Sequence, residues 1–424
     1  MIDCSKKVIV ERLTPSDEHY FFGYYDITPE SSDGKKIVAC HAPFIDRMPS
    51  VEDELEIGYF NVGDDDFHCI GTTTAWNFQE GCRLQWLSNN EIIFNCRTPN
   101  GFGSVIFDVE KEKIIRVFNN PVYSVSKNKK VATSYGFVNN KYNYAHTIDD
   151  ERNNVNGDGV YILDLVSGEY RLLIPISKLI EMAGSQGYRN WVEYCTFNSE
   201  GDLFYVYHRW ENEKGLAGNQ LCVCDLNGSI TTLLISKFIS HAGWKGNAEI
   251  TSWCRLQSSI NVIQNNRILI NSGVFDFAKK IYHLVIKKPS LRQKFTNDAY
   301  VTFKINGEER NKIANRELTS DGHCSWSKDM RFMLTDTYPD LNKERNLLLF
   351  DDKQNRLLLL GSFYSYPKGI EKSNPQWNIS GLRCDLHPKW GTSERYVYFD
   401  SVHEGYRALY RIDITKLRLK EKDE

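Results

Sequence analysis

Three tetrapeptides share a frame: HAGW at 241–244, HCSW at 323–326 and HPKW at 387–390. Each sets an imidazole three residues before an indole, in a chain with only ten histidines. Taken singly, a histidine ahead of a strand reads as a hydrogen-bonded turn or core residue. Three in one frame read as a constellation. Neutral imidazole suits zinc, iron, nickel or manganese-type ions, and its near-neutral pKa also makes it a general base. Asp385, two residues before His387, shares its face of an extended chain and adds an oxygen ligand. No HExxH or other local metal motif occurs, so the signal lies in the recurrence.

Whether these side chains meet depends on the elements that carry them. A strand, a short polar turn and a second strand recur seven times: DITPESSDGKKIVAC, RLQWLSNNEIIFNC, VYSVSKNKKVATS, YCTFNSEGDLFYVY, HAGWKGNAEITSW, HCSWSKDMRFMLTD and HPKWGTSERYVYFD. Most are followed by a strand ending in an acidic residue, such as FDV, LDL, CDL, FDD or RIDI. Four strands per repeat and seven repeats predict one all-β domain over 1–424, a seven-bladed β-propeller with four-stranded blades. NRILINSG is among the other strand-like runs, and only ISKLIEMAG (176–184) and ISKFISHAG (235–243) read as helical. Segments 138–158 and 287–320 read as insertions. Pairing of KKVIVERL (6–13) with ALYRIDI (408–414) would close the ring on the last blade, leaving TKLRLKEKDE as a solvated tail.

Superposing the repeats on the residue before the turn gives seven equivalent positions: Asp26, Arg83, Val122, Tyr194, His241, His323 and His387. In a propeller the innermost strands line the central channel, so these side chains should converge on the axis. His323, His387 and Asp385 are then candidate metal ligands. Candidate catalytic residues are His241 as base, Arg83 as bidentate partner for a carboxylate, and Tyr194 as proton donor or base. Tyr25 and Asp26 of GYYD, His208 and Arg209 of HRW, and His403 and Arg407 of HEGYR are substrate-binding candidates. Arg209 and Arg407 also read as inter-blade salt bridges, and Trp86, Trp244, Trp326 and Trp390 as inter-blade packing.

A net charge of −3 argues against a nucleic-acid partner. No apolar run reaches the length of a membrane span and the first residues lack a signal-peptide core, which predicts a cytoplasmic protein without a transmembrane segment. Eleven scattered cysteines with no CxxC spacing read as reduced, mostly buried thiols.

HAGW…EITSW, DGHCSWSKDMRFMLTD and DLHPKWGTSERYVYFDSVHEGYRALYRIDI resemble oligogalacturonate lyases, seven-bladed propellers that cleave acidic oligosaccharides by β-elimination with a manganese-type ion bound by histidines. The resemblance covers mainly blades 5 to 7. HYFFGYYDITPESSDGKKIVACHAPFIDRMPS, AWNFQEGCRLQWL and DTYPD resemble a propeller family associated with bacterial polysaccharide biosynthesis loci. The lyase resemblance implies His323 and His387 as ligands of Mn(2+) and His241 in the frame of the proton-abstracting base. It implies a polysaccharide lyase acting on a uronic-acid-containing acidic glycan. The chain departs from the lyase pattern just before the last ligand, with Leu382 and Asp385 in place of a Gln and a His. Alternatives remain open: a glycosidase using two of Asp26, Asp385 and Glu193, a polysaccharide-biosynthesis enzyme, or a non-catalytic propeller that binds glycan or protein. A nucleotide-sugar glycosyltransferase is disfavoured, since no Gly-rich phosphate loop or βα alternation appears.

Overall fold

The computed structural model describes residues 1–136, 155–184, 187–212, 217–256, 296–308, 310–370 and 382–418. Seven antiparallel four-stranded sheets form the seven-bladed propeller, with the innermost strand of blades 1 to 7 at His19–Phe21, Gln85–Trp86, Ser124–Val125, Arg189–Phe197, Ile239–Lys245, Ser325–Trp326 and Lys389–Trp390. Six of the seven sequence repeats fall on the first two strands of one blade; the first, 26–40, follows the innermost strand of blade 1 and covers the Glu30–Ile37 bridge and most of the second strand. The ring closes as expected: Val10–Arg12 supplies the outermost strand of blade 7, with Val10 opposite Ile412. A second N-terminal strand, Ile2–Asp3, runs parallel to Arg356–Tyr364 of blade 6, so the first residues tie two blades together.

The indole of each frame acts across the gap to the preceding blade. Trp86, Trp244, Trp326 and Trp390 donate through Nε1 to Pro29 O, Thr196 O, Thr251 Oγ1 and Ser325 O. In blade 1 the same position is held by Glu30, which bridges Ile37 as Trp326 bridges Met333. Its carboxylate accepts from Tyr398 Oη at 2.7 Å and Thr392 N at 2.5 Å, both of blade 7. That register moves the first frame by one residue: Ile27, not Asp26, is the blade 1 equivalent of the histidines.

Other expectations need correction. Segment 287–320 is not a plain insertion, because Asp298–Lys304 and Arg310–Lys312 are the outer strands of blade 5. ISKFISHAG is not helical; it contains a strand end and the start of Ile239–Lys245, where β-branched residues fit a pleated surface. The other helix expectation holds at Ile176–Ala183, stopped by Gly184 in the left-handed conformation. Thr415–Arg418 of the tail is a short helix. NRILINSG and nearly all of segment 138–158 lie outside the described residues. All eleven cysteines are unpaired, and all but Cys69 and Cys96 are buried. No helix among the described residues is long and apolar enough to cross a membrane.

Four residues expected at the substrate cleft are instead engaged within or between blades. His208 is wholly buried in blade 4, its ring nitrogens 3.2 Å from Gln220 Oε1 and 3.0 Å from Asn190 Oδ1. Arg209 pairs with Glu193 at 2.5 Å and donates to Ile239 O of blade 5. Arg407, also buried, pairs with Asp400 at 3.6 Å and donates to Phe78 O. His403 packs among Phe363, Tyr410 and Ser401. The two arginines therefore form their salt bridges within a blade, and their side-chain hydrogen bonds to Ile239 O and Phe78 O reach beyond it.

Two outcomes are expected. Deleting residues 1–13 should lower the urea midpoint and expose the Ala408–Asp413 edge, giving concentration-dependent self-association in sedimentation. An unchanged midpoint would show that the closing strand carries no stability. Burial holds the His208 imidazole down at about 4, whereas in the unfolded chain it binds a proton below about 6.5. Stability should therefore fall as pH drops from about 6.5 to about 4, and His208→Gln should remove about 3 kcal/mol of that loss, read from urea titrations.

Candidate functional site

At the start of the innermost strands of blades 2, 4, 5 and 7 the backbone departs from regular β geometry. Arg83, Tyr194 and His387 take the left-handed conformation, with φ of 57°, 59° and 44°. The ladders of blades 4 and 5 slip register between Glu193 and Thr196 and between Ile239 and Ala242. Such kinks re-aim a side chain out of the pleat. Here they serve the frame position, which in blades 5, 6 and 7 turns an imidazole toward the axis.

The three histidines do meet. The His241 and His323 ring centroids are 4.0 Å apart, and those of His323 and His387 are 4.5 Å apart with the planes at 88°. Each Nδ1 faces an acceptor. For His323 it is the Asp336 carboxylate at 2.9 Å, and for His387 the Gly23 carbonyl at 3.0 Å. For His241 the Asp321 carboxylate lies at 3.2 Å, with Ser240 Oγ at the same distance. Carbonyl and carboxylate oxygens only accept, so each Nδ1 carries a proton, and in the neutral ring Nε2 keeps its lone pair. Burial, reinforced by a neighbouring imidazole, holds His323 and His387 well below the usual imidazole range, so both are neutral. His387 Nε2 is buried with no hydrogen-bond partner.

Ligand atoms of His323, Asp385 and His387 lie within 4.8 Å of one another. The orphaned His387 nitrogen and the carboxylate behind His323 are what a divalent-metal site requires of its imidazoles and their supports. Asp385 is more heavily engaged than the sequence suggested. Arg345 pairs with it at 2.6 Å and Arg383 at 3.0 Å, and these cations hold its carboxyl well below the usual carboxylate range against the opposing effect of burial.

His241, His323, Asp385 and Arg383, with Tyr24, Gln79, Glu80, Tyr194 and Tyr338, line a cavity of about 30 Å³, room for a water or an ion. Tyr24 and Tyr194 share a hydrogen bond of 2.9 Å between their hydroxyls. Glu80 is pushed up to about 7 by burial, although Arg83 opposes the shift. Asp336 is pushed up to about 6 by burial, against the pull of the His323 backbone N–H.

Arg83 of blade 2 and Asp26 and Tyr25 of blade 1 are engaged with other parts of the interior. The Arg83 guanidinium is fully buried, bidentate on Asp26 at 2.7 and 3.0 Å, and its Nε donates to Tyr123 O. Tyr25 bonds Ala242 O at 2.9 Å. None of Arg83, Asp26 and Tyr25 lines the histidine cavity. Positive charge there comes from Arg383. The sequence held a signal for one missed residue: DGH at 321–323 and DLH at 385–387 repeat an acid two residues before a frame histidine. Asp336, Glu80 and Arg383 gave no local signal, since each reaches the axis through tertiary placement.

No protein-family model matches the chain, and no curated protein sequence matches it. Among solved structures it is similar to oligogalacturonate lyase from Vibrio parahaemolyticus, at 12% identity over 98% of this chain and 96% of that chain, with a TM-score of 0.44. It is similar to an oligogalacturonate lyase in complex with manganese, at 12% identity over 97% and 95%, TM-score 0.39. The β-propeller domain of the Trilobed protease from Pyrococcus furiosus aligns at 9% identity over 95% of each chain, TM-score 0.48. What this chain shares with a lyase and a protease alike is the propeller fold.

Proposed function

We propose that the axial cavity is the ion-binding inner end of the active centre of a carbon–oxygen lyase that cleaves a uronic-acid-containing acidic glycan by β-elimination. The observation that carries this reading is the row of three imidazoles, each with its Nδ1 committed and its Nε2 directed elsewhere, beside a cationic and phenolic wall. His241, oriented by Asp321, takes the proton on the carbon next to the uronate carboxylate through Nε2. The electron pair of that C–H bond forms the new C=C bond as the C–O bond to the leaving sugar breaks. The departing oxygen takes a proton from Tyr194, whose hydroxyl is held by Tyr24. Arg383 supplies positive charge for the uronate carboxylate. His323, His387 and Asp385 are the residues that would hold a divalent ion of the manganese class, which when bound stabilises the negative charge that builds up on that carboxylate.

The glycosidase alternative loses its candidates on this geometry. Asp26 is paired with Arg83, Glu193 with Arg209, and Asp385 with Arg345 and Arg383, so none is poised as an acid partner for the others.

The test is incubation of the purified protein with a panel of acidic glycans, with and without manganese or chelator, following the absorbance of an unsaturated uronate. We expect metal-dependent product, a kcat lowered about 100- to 10,000-fold by His241→Ala, and loss of metal binding in His323→Ala and His387→Ala with circular dichroism unchanged. Asp336→Asn should weaken metal affinity about 10- to 100-fold. No product with manganese across a panel that includes the glycans of the source cell would overturn the lyase reading.

A further inference from the structure

The channel holds a second cavity, of about 320 Å³, lined by residues of blades 1, 4, 5, 6 and 7. Tyr25 and Asp26 line it while Tyr24 lines the histidine cavity, so the GYYD segment lies between the two. Successive residues of a strand alternate, so the third position of each frame shares the channel-facing side with the first. Read around the ring, the third positions are Pro29, Gln85, Ser124, Thr196, Gly243, Ser325 and Lys389. Only one is charged.

Most of these polar groups are already spent within the protein. Gln85 donates to Arg83 O and Tyr123 O, Ser124 Oγ accepts from Phe197 N, and Thr196 Oγ1 donates to Asp26. Ser325 and Lys389 differ. Ser325 Oγ is buried without a hydrogen-bond partner, and Lys389 makes no hydrogen bond or ion pair with a described residue. Asp26 and Arg83 are the charges that act on Lys389, and those two neutralise each other through a bidentate pair. The cluster is left with one surplus positive charge facing the cavity. Around Lys389 stand Tyr205, Trp244 and Trp326, with Asn198, Ser199 and Ser327, a mixture of apolar faces and polar edges.

We propose that this second cavity binds a small hydroxylated organic anion of monosaccharide size, whose carboxylate or phosphate pairs with Lys389 and Ser325. A volume of about 300 Å³ is at the lower end of small-molecule sites, and the aromatic walls suit a sugar ring. The site does not depend on the histidine cavity or on its chemistry.

Calorimetric titration of the full chain with glucuronate, with glucose 6-phosphate and with neutral glucose tests it. Binding of either anion with glucose much weaker is expected; a preference for one identifies the carboxylate or the phosphate as the natural head group. Lys389→Met should weaken anion binding about 10- to 100-fold, Lys389→Arg should retain it, and His323→Ala should leave it unchanged. Should Lys389→Met fail to fold, acylation of Lys389 in the wild-type protein, followed by peptide mass spectrometry, should be slowed by the anions and not by glucose, while Lys245 is unaffected. No binding, equal binding of glucose, an unchanged Lys389→Met titration, absence of protection, or loss of binding in His323→Ala would overturn the proposal.

Discussion

The ion pair between Asp26 and Arg83, its guanidinium wholly buried and its carboxylate at the edge of the second cavity, is the interaction on which the interior depends. It fastens the segment at residues 22–29, which interrupts the inner strand of blade 1 between the Phe21–Cys40 and Glu30–Ile37 pairings. That segment places Tyr24 against the histidines, Gly23 O on His387 and Tyr25 on the Ala242 backbone. A buried pair of this kind adds little net stability over apolar packing. Removing one partner costs about 3–5 kcal/mol, because the other charge is stranded. Its role here is positional: it sets where one cavity ends and the other begins.

Around that plug the seven blades supply a rigid frame. The inter-blade indole bonds and the two N-terminal strands fix the ring, and the left-handed or bulged residue at the head of an inner strand converts that rigidity into side-chain direction. Left-handed backbone at non-glycine residues such as Arg83, Tyr194 and His387 costs roughly 1–3 kcal/mol each. The packed ring can sustain that cost, and the imidazoles are held so that one nitrogen is anchored and the other is free.

Much of this was legible in the sequence because propeller blades repeat. The strand–turn–strand unit gave the blade count, the closing strand and the convergence of His241, His323 and His387. What escaped reading follows from the limits of repeat equivalence. Blade 1 breaks the pattern, so its frame was set one residue early and Asp26 stood in for Ile27. Arg83 was read as a substrate ligand because the pairing that consumes it is made across blades. His208, Arg209, His403 and Arg407 carry the right chemistry on the second strand of blade 4 and in the turn between the second and third strands of blade 7, where side chains meet their own or a neighbouring sheet and not the axis. The acid two residues before His323 was visible, whereas Asp336 and Arg383 become partners of the site only once the blades are stacked.

The central claim is that the axial imidazoles form a preformed ligand set, with His387 Nε2 as a nitrogen lacking its partner. Crystals grown with manganese, measured near the metal's absorption edge, test it most directly. The account predicts one strong anomalous peak within bonding distance of His323, His387 and Asp385, absent from His387→Ala crystals. Full manganese in the solution with no peak at these residues, or a peak indifferent to that substitution, would contradict it.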